Sequence, residues 1–185
     1  MKLNFFTLLL PFQASIEPTP HLDHSHAHAL APPSDLQADI AGLIAMSRAL
    51  WLEASHVTKE TSEVAGQDII NDIVIEFNTL IVHNHTASSS APVGDSRSSR
   101  SLLVGIGHWG HQTQAFLGAL ARSAQSFKDV GLDGAIAGNL TTLKTCSADF
   151  SHSFGALLPG LKDSFGKVVD ELQTAFDDAI DALKE

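Results

Sequence analysis

Residues 161–183 read LKDSFGKVVDELQTAFDDAIDAL, and their spacing decides the fold. Leu161, Phe165, Val168, Leu172, Phe176, Ile180 and Leu183 recur at steps of three and four. That is one apolar face of an α-helix, with acids and lysines on the other side. Pro159-Gly160 marks a break just before it. Upstream of the break, Leu132, Ile136, Leu140, Leu143, Ser147, Phe150, Phe154 and Leu157 repeat the same period. Gly131-Leu-Asp-Gly134 reads as a turn, and before it Leu102, Ile106, Trp109, Thr113, Phe116, Leu120, Ala124 and Phe127 form a third stripe.

The N-terminal half continues the pattern. Ser34-Asp-Leu-Gln37 fits a capping box. Leu36, Ile40, Leu43, Ile44, Ser47, Leu50, Ala54 and Val57 then follow at helical spacing, and after a polar break so do Ile70, Ile73, Phe77, Leu80 and Ile81. The β-branched run Ile73-Val-Ile-Glu-Phe77 suits a strand by composition alone, but its spacing and flanks favour a helix. No stretch alternates by two over any length. The pattern predicts an all-α fold: a single amphipathic bundle of about five helices over 34–185, with a disordered N-terminal arm. A Ser-rich break at 84–100 reads as a loop.

Composition sets limits on function. The chain has 185 residues, 44% of them hydrophobic, which is enough for a core. Acids outnumber bases 21 to 11, which argues against nucleic acid as a partner. A single cysteine excludes an intramolecular disulfide and a four-cysteine zinc site. Residues 1–14, MKLNFFTLLLPFQA, have a positive start and a short apolar core, the pattern of an export signal. The expected localisation is secreted, with the cell wall as a destination. No later stretch has the length and hydropathy of a membrane span, and the acidic C-terminus carries no lipid-anchor signal.

Residues 15–33 form a His- and Pro-rich arm. His21, His24, His26 and His28 lie close enough to share Zn(II) or Cu(II), with a mobile polar spacer as the plainer reading. His83, His85, His108 and His111 would approach each other if the second and third helices were antiparallel neighbours. Asn84-His-Thr86 and Asn139-Leu-Thr141 are N-glycosylation acceptors, Asn84 at the edge of the expected loop. Cys146 fits a small core residue, and the paired acids of the last helix fit a solvated face. No H-E-x-x-H, P-loop, G-x-S-x-G or C-x-x-C pattern is present, so no cofactor and no enzyme activity is expected.

Seven phenylalanines sit on the stripes. Rings between amphipathic helices either fill a core or line a tunnel for an apolar ligand. The ligand-contact candidates are Phe116, Leu120, Phe150, Phe154, Phe165 and Phe176.

The segments Asn139-Leu-Thr-Thr-Leu-Lys-Thr-Cys-Ser-Ala-Asp-Phe150, Leu157-Leu-Pro-Gly-Leu161 and Asp170-Glu-Leu-Gln-Thr-Ala-Phe-Asp-Asp-Ala-Ile180 resemble the hydrophobic surface-binding protein A family, which includes fungal cell-wall galactomannoproteins. Ala119–Phe127 is similar to the segment before that family's mid-domain Phe. The resemblance covers residues 100–185 well and 35–83 in outline. It implies a secreted, non-enzymatic helical protein that binds apolar surfaces or fatty acids, with a secreted hydrolase as a further partner. Metal binding by the arm, and a structural wall mannoprotein without ligand, are the alternatives.

Overall fold

The computed structural model describes residues 33–94 and 96–185. The export segment and the arm with His21, His24, His26 and His28 lie outside the described residues.

Five α-helices make up the fold, α1 Pro33–Ser55, α2 Ser62–Ser88, α3 Ser96–Asp129, α4 Asp133–Ala156 and α5 Lys162–Lys184, with a 3₁₀ turn at Pro159–Leu161 before α5. The first helix opens on Pro33, whose missing N–H costs nothing in a first turn. Between α3 and α4 the chain reverses in three residues, helped by Gly131 at φ 72°.

The helices close into a ring in the order α1, α3, α5, α4, α2, while α2·α3 and α3·α4 barely touch. Side-chain contacts give the directions. Gln37 meets Ser101, Ser47 meets Thr113 and Ser123 meets Ala54, so α1 and α3 run parallel. Lys144 pairs with Asp177 nearer the C-terminal end of α5, so α4 and α5 run antiparallel. The ring interior is filled by one cluster that includes Trp109, Phe116, Phe127, Phe150, Phe154 and Phe176, each under 2% exposed. Burying side chains of this size contributes on the order of 1.5–3 kcal/mol each.

The expected loop at 84–100 is shorter than its serines suggested. Helix α2 runs through Ser88 and α3 starts at Ser96, leaving only residues 89–95 between them. The hydroxyls of Thr86, Ser88, Ser89 and Ser90 turn back onto carbonyls four residues earlier, which satisfies them within the helix end. Ala87 is buried, and Val93 donates its N–H to Leu157 O at 2.9 Å, tying the connection to the end of α4. Asn84 therefore lies inside α2, half-buried, and Asn139 lies inside α4, its side-chain amide donating to Ala135 O at 2.9 Å.

Close approach of α2 to the α3–α4 turn depends on Gly66. A Cβ there would stand 2.6 Å from Leu132 Cδ1 and 3.3 Å from the Phe127 ring. Gly66→Leu should destabilise the protein by about 1–3 kcal/mol through overpacking. Urea titration checks this, and an unchanged midpoint would mean the contact relaxes freely.

Candidate functional site

A groove of about 870 Å³ opens between the C-terminal half of α4 and the N-terminal half of α5. Small residues leave the space: Ala148, Gly155 and Ala156 on α4 and Gly166 on α5 line it, with the Phe165 ring lying against Gly155. Phe165 and Val169 add apolar wall. Lys162, Lys167 and His152 stand at the rim, alongside Asp163 and Asp170. The arrangement combines an apolar trough with a charged mouth in which two lysines alternate with two aspartates, which suits an amphiphile with a polar head.

Of the six residues expected to contact ligand, Phe165 lines this groove. Phe116, Leu120, Phe150, Phe154 and Phe176 are at most 1% exposed and pack in the ring interior. Phe165 is nevertheless joined to that interior. Its ring stacks on Phe154 at 6.1 Å between centroids; Phe154 lies 5.5 Å from Phe150, and Phe150 meets Trp109 edge-on at 5.7 Å. An aromatic run thus leads from the groove to the middle of α3.

Trp109 ends that run beside an ionisable group. Glu76 of α2 is fully buried. The Ser47 hydroxyl donates to its Oε1 at 2.6 Å, and Ser47 Oγ is 3.0 Å from Thr113 Oγ1. Thr113 in turn donates to Trp109 O at 3.0 Å. Burial pushes the Glu76 carboxyl up to about 7, against the opposing pull of Ser47 and of the Trp109 indole N–H. The indole makes no hydrogen bond of good geometry: Trp109 Nε1 and Glu76 Oε2 both lack a partner. Three helices, α1, α2 and α3, thus meet on one uncompensated carboxyl.

The four histidines near the α2–α3 connection are not brought together, because α2 and α3 are not neighbours in the ring. His83 faces α1 instead, with Nδ1 3.1 Å from Asp39 Oδ2, while His108 and His111 are exposed on α3. Among the described residues no group of three or more His, Cys, Asp or Glu is placed to hold a metal. Cys146 is half-buried against the core, and burial, with Asp149 nearby, raises its thiol. Such a thiol is a poor nucleophile. No helix among the described residues is long and apolar enough to cross a membrane.

Sequence reasoning did not find Glu76, Lys162, Lys167 or His152. The small residues at 148, 155, 156 and 166 were the available signal for the groove. Their spacing is legible only once α4 and α5 are known to be antiparallel neighbours.

No family model matches the chain, and no curated protein matches it by sequence. Its fold is shared by solved structures at low identity. The crystal structure of AFMP4P in complex with palmitic acid aligns with a TM-score of 0.76 and 12% identity, over 82% of this chain and 99% of that one. Ligand binding domain 2 of the Penicillium marneffei MP1 protein, in complex with arachidonic acids, gives 0.69 and 14% identity over 81% and 90%. Domain 1 of the same protein, also with arachidonic acids, gives 0.68 and 10% identity over 81% and 95%.

Proposed function

We propose that this protein is a non-enzymatic binder of long-chain fatty acids, with the acyl chain in the α4–α5 groove and the carboxylate at Lys162 and Lys167. The groove itself carries the reading: an apolar trough of about 870 Å³ whose rim offers Lys162 and Lys167, interleaved with Asp163 and Asp170. Each methylene removed from water there contributes roughly 0.8 kcal/mol, so a dozen give about 10 kcal/mol before the cost of ordering a flexible chain. The lysines add orientation more than affinity, since exposed ion pairs are worth little. The shared fold supports the ligand class, because the similar proteins were solved with palmitic and arachidonic acid. The same reading includes export through residues 1–14 and membership of the hydrophobic surface-binding protein A family.

A second reading has its own observation. Val64, Ile75 and Val82 share one face of α2 and are 69%, 55% and 63% exposed. That stripe suits adsorption to an extended apolar surface, independently of the groove.

Displacement of a fluorescent fatty acid by palmitate tests the groove. Gly166 is the position to block, since a Cβ there meets nothing within 4 Å and the side chain would enter the trough. Gly166→Trp should weaken palmitate binding at least tenfold. Replacing a helical glycine should leave thermal stability equal or raised, by up to about 1 kcal/mol. Wild-type affinity retained in Gly166→Trp would move the ligand out of this groove.

A further inference from the structure

We infer that Glu76 is a proton-operated latch on the groove. With its carboxyl protonated, α1, α2 and α3 stay closed around it and the aromatic run from Trp109 to Phe165 is held in place; loss of the proton opens this junction, frees the run and deepens the groove toward the ring interior.

The geometry supplies the parts. Glu76 has no solvent exposure, and among the described residues its one well-formed hydrogen bond comes from the neutral Ser47 hydroxyl, with the equally neutral Trp109 indole N–H nearby. No cation faces it from the helices around it. Arg48 of α1 and His108 and His111 of α3 are exposed, Lys144 of α4 pairs with Asp177, and Cys146 of α4 lies near Asp149. His83, on its own helix, faces Asp39. An ionised carboxylate at this place has neutral donors and no cation to compensate it, so ionisation favours uncovering it to water. Uncovering it separates Ser47 from Thr113, whose hydroxyl donates to Trp109 O, and draws the carboxyl away from the Trp109 indole. Trp109 is one end of the continuous contact chain that reaches Phe165 on the groove wall. A two-state element biased from both ends is what coupling between sites requires.

The size of the effect follows from linkage. The carboxyl titrates near 7 when closed and near the ordinary glutamate value of 4.5 when open. Opening therefore releases a proton between those values, and the open form gains about tenfold from pH 6 to pH 8. Above pH 7 both forms are ionised and the gain levels off.

The opening is independent of any ligand; only its effect on affinity rests on the fatty-acid reading, and two measurements separate them. The first is hydrogen exchange of the full chain at pH 6 and 8, corrected for intrinsic exchange chemistry, for wild type, Glu76→Gln and Glu76→Met. Amides of α1, of α2 and of the middle of α3 should lose about tenfold protection in wild type and none in either variant. Equal pH dependence in wild type and variants, or an equal loss over all five helices, overturns the latch. The second is palmitate affinity across the same pH pair. It should rise up to tenfold in wild type and stay flat in Glu76→Gln, which also removes the titration of palmitate itself from the comparison. Binding with the same pH dependence in both proteins overturns the coupling and leaves the fatty-acid reading standing. Junction opening with no palmitate binding at any pH supports the opening and overturns the fatty-acid reading alone.

Discussion

Phe154→Ala should lower the unfolding free energy by about 3–5 kcal/mol, one of the largest effects of any single truncation in this protein. Phe154 is wholly buried and sits between Phe150 and Phe165 in the aromatic run. Its loss removes the transfer free energy of a ring and leaves a cavity that the α4 and α5 backbones close only in part. For a chain of this length the melting temperature should fall by roughly 6–20 °C. The cavity also adjoins the wall of the groove, because Phe165 would lose the ring it stacks on. Palmitate should then stabilise the variant at least as well as wild type. Calorimetry with and without palmitate reads both effects. A drop under 1 kcal/mol would mean the ring interior is not close-filled, and loss of the palmitate effect would place Phe154 in direct contact with ligand.

Glu76→Gln should flatten the dependence of stability on pH. In wild type the carboxyl is held near 7 in the folded chain against an ordinary glutamate value of 4.5. Its raised value makes the folded state the better proton binder. Stability is therefore full below about 4.5, declines as pH rises to 7, and is level above that. The decline amounts to roughly 3 kcal/mol, at 1.36 kcal/mol for each unit of difference. Glutamine keeps the shape and an oxygen for the Ser47 hydroxyl, but it does not ionise. Urea unfolding at pH 5 and pH 8 should give two different midpoints for wild type and nearly one for Glu76→Gln. Parallel curves for the two proteins would show that Glu76 is solvated in the folded chain.

Much of the fold was readable because four of the five stripes are unambiguous. In α3 every stripe residue from Leu102 to Phe127 is buried as the spacing predicts, and in α5 Phe165, Leu172, Phe176, Ile180 and Leu183 are buried too. Helix α2 is the exception, and its error is instructive. The apolar spacing suggested Ile70, Ile73, Phe77, Leu80 and Ile81, whereas the buried face is Ser62, Gly66, Ile69, Ile73, Glu76 and Leu80. A carboxyl and a glycine on the inner face carry no apolar signal, and Ile81 lies outside at 53% exposed. Hydropathy ranks residues by their ionised forms, so it places a Glu that is neutral when buried on the wrong side. The groove was hidden for a different reason. It is a property of two helices together, made by small residues that leave space, and the large stripe residues other than Phe165 do not line it. The Ser-rich stretch at 84–100 misled through composition, since hydroxyls bonded back to their own helix cost the helix little.

The ring order has a consequence for how the chain is made. Helix α1 buries its inner face mainly against α3, through contacts such as Ser47 with Thr113 that are separated by 66 residues. The α2·α4 and α3·α5 interfaces likewise skip a helix. An emerging α1–α2 hairpin therefore leaves the ribosome with two apolar faces uncovered, and each successive helix closes an interface opened two helices earlier. Sequence-distant pairing of this kind delays burial and slows folding for a helical protein. The nascent first half is thus the stage with the most uncovered apolar face, well before the groove exists.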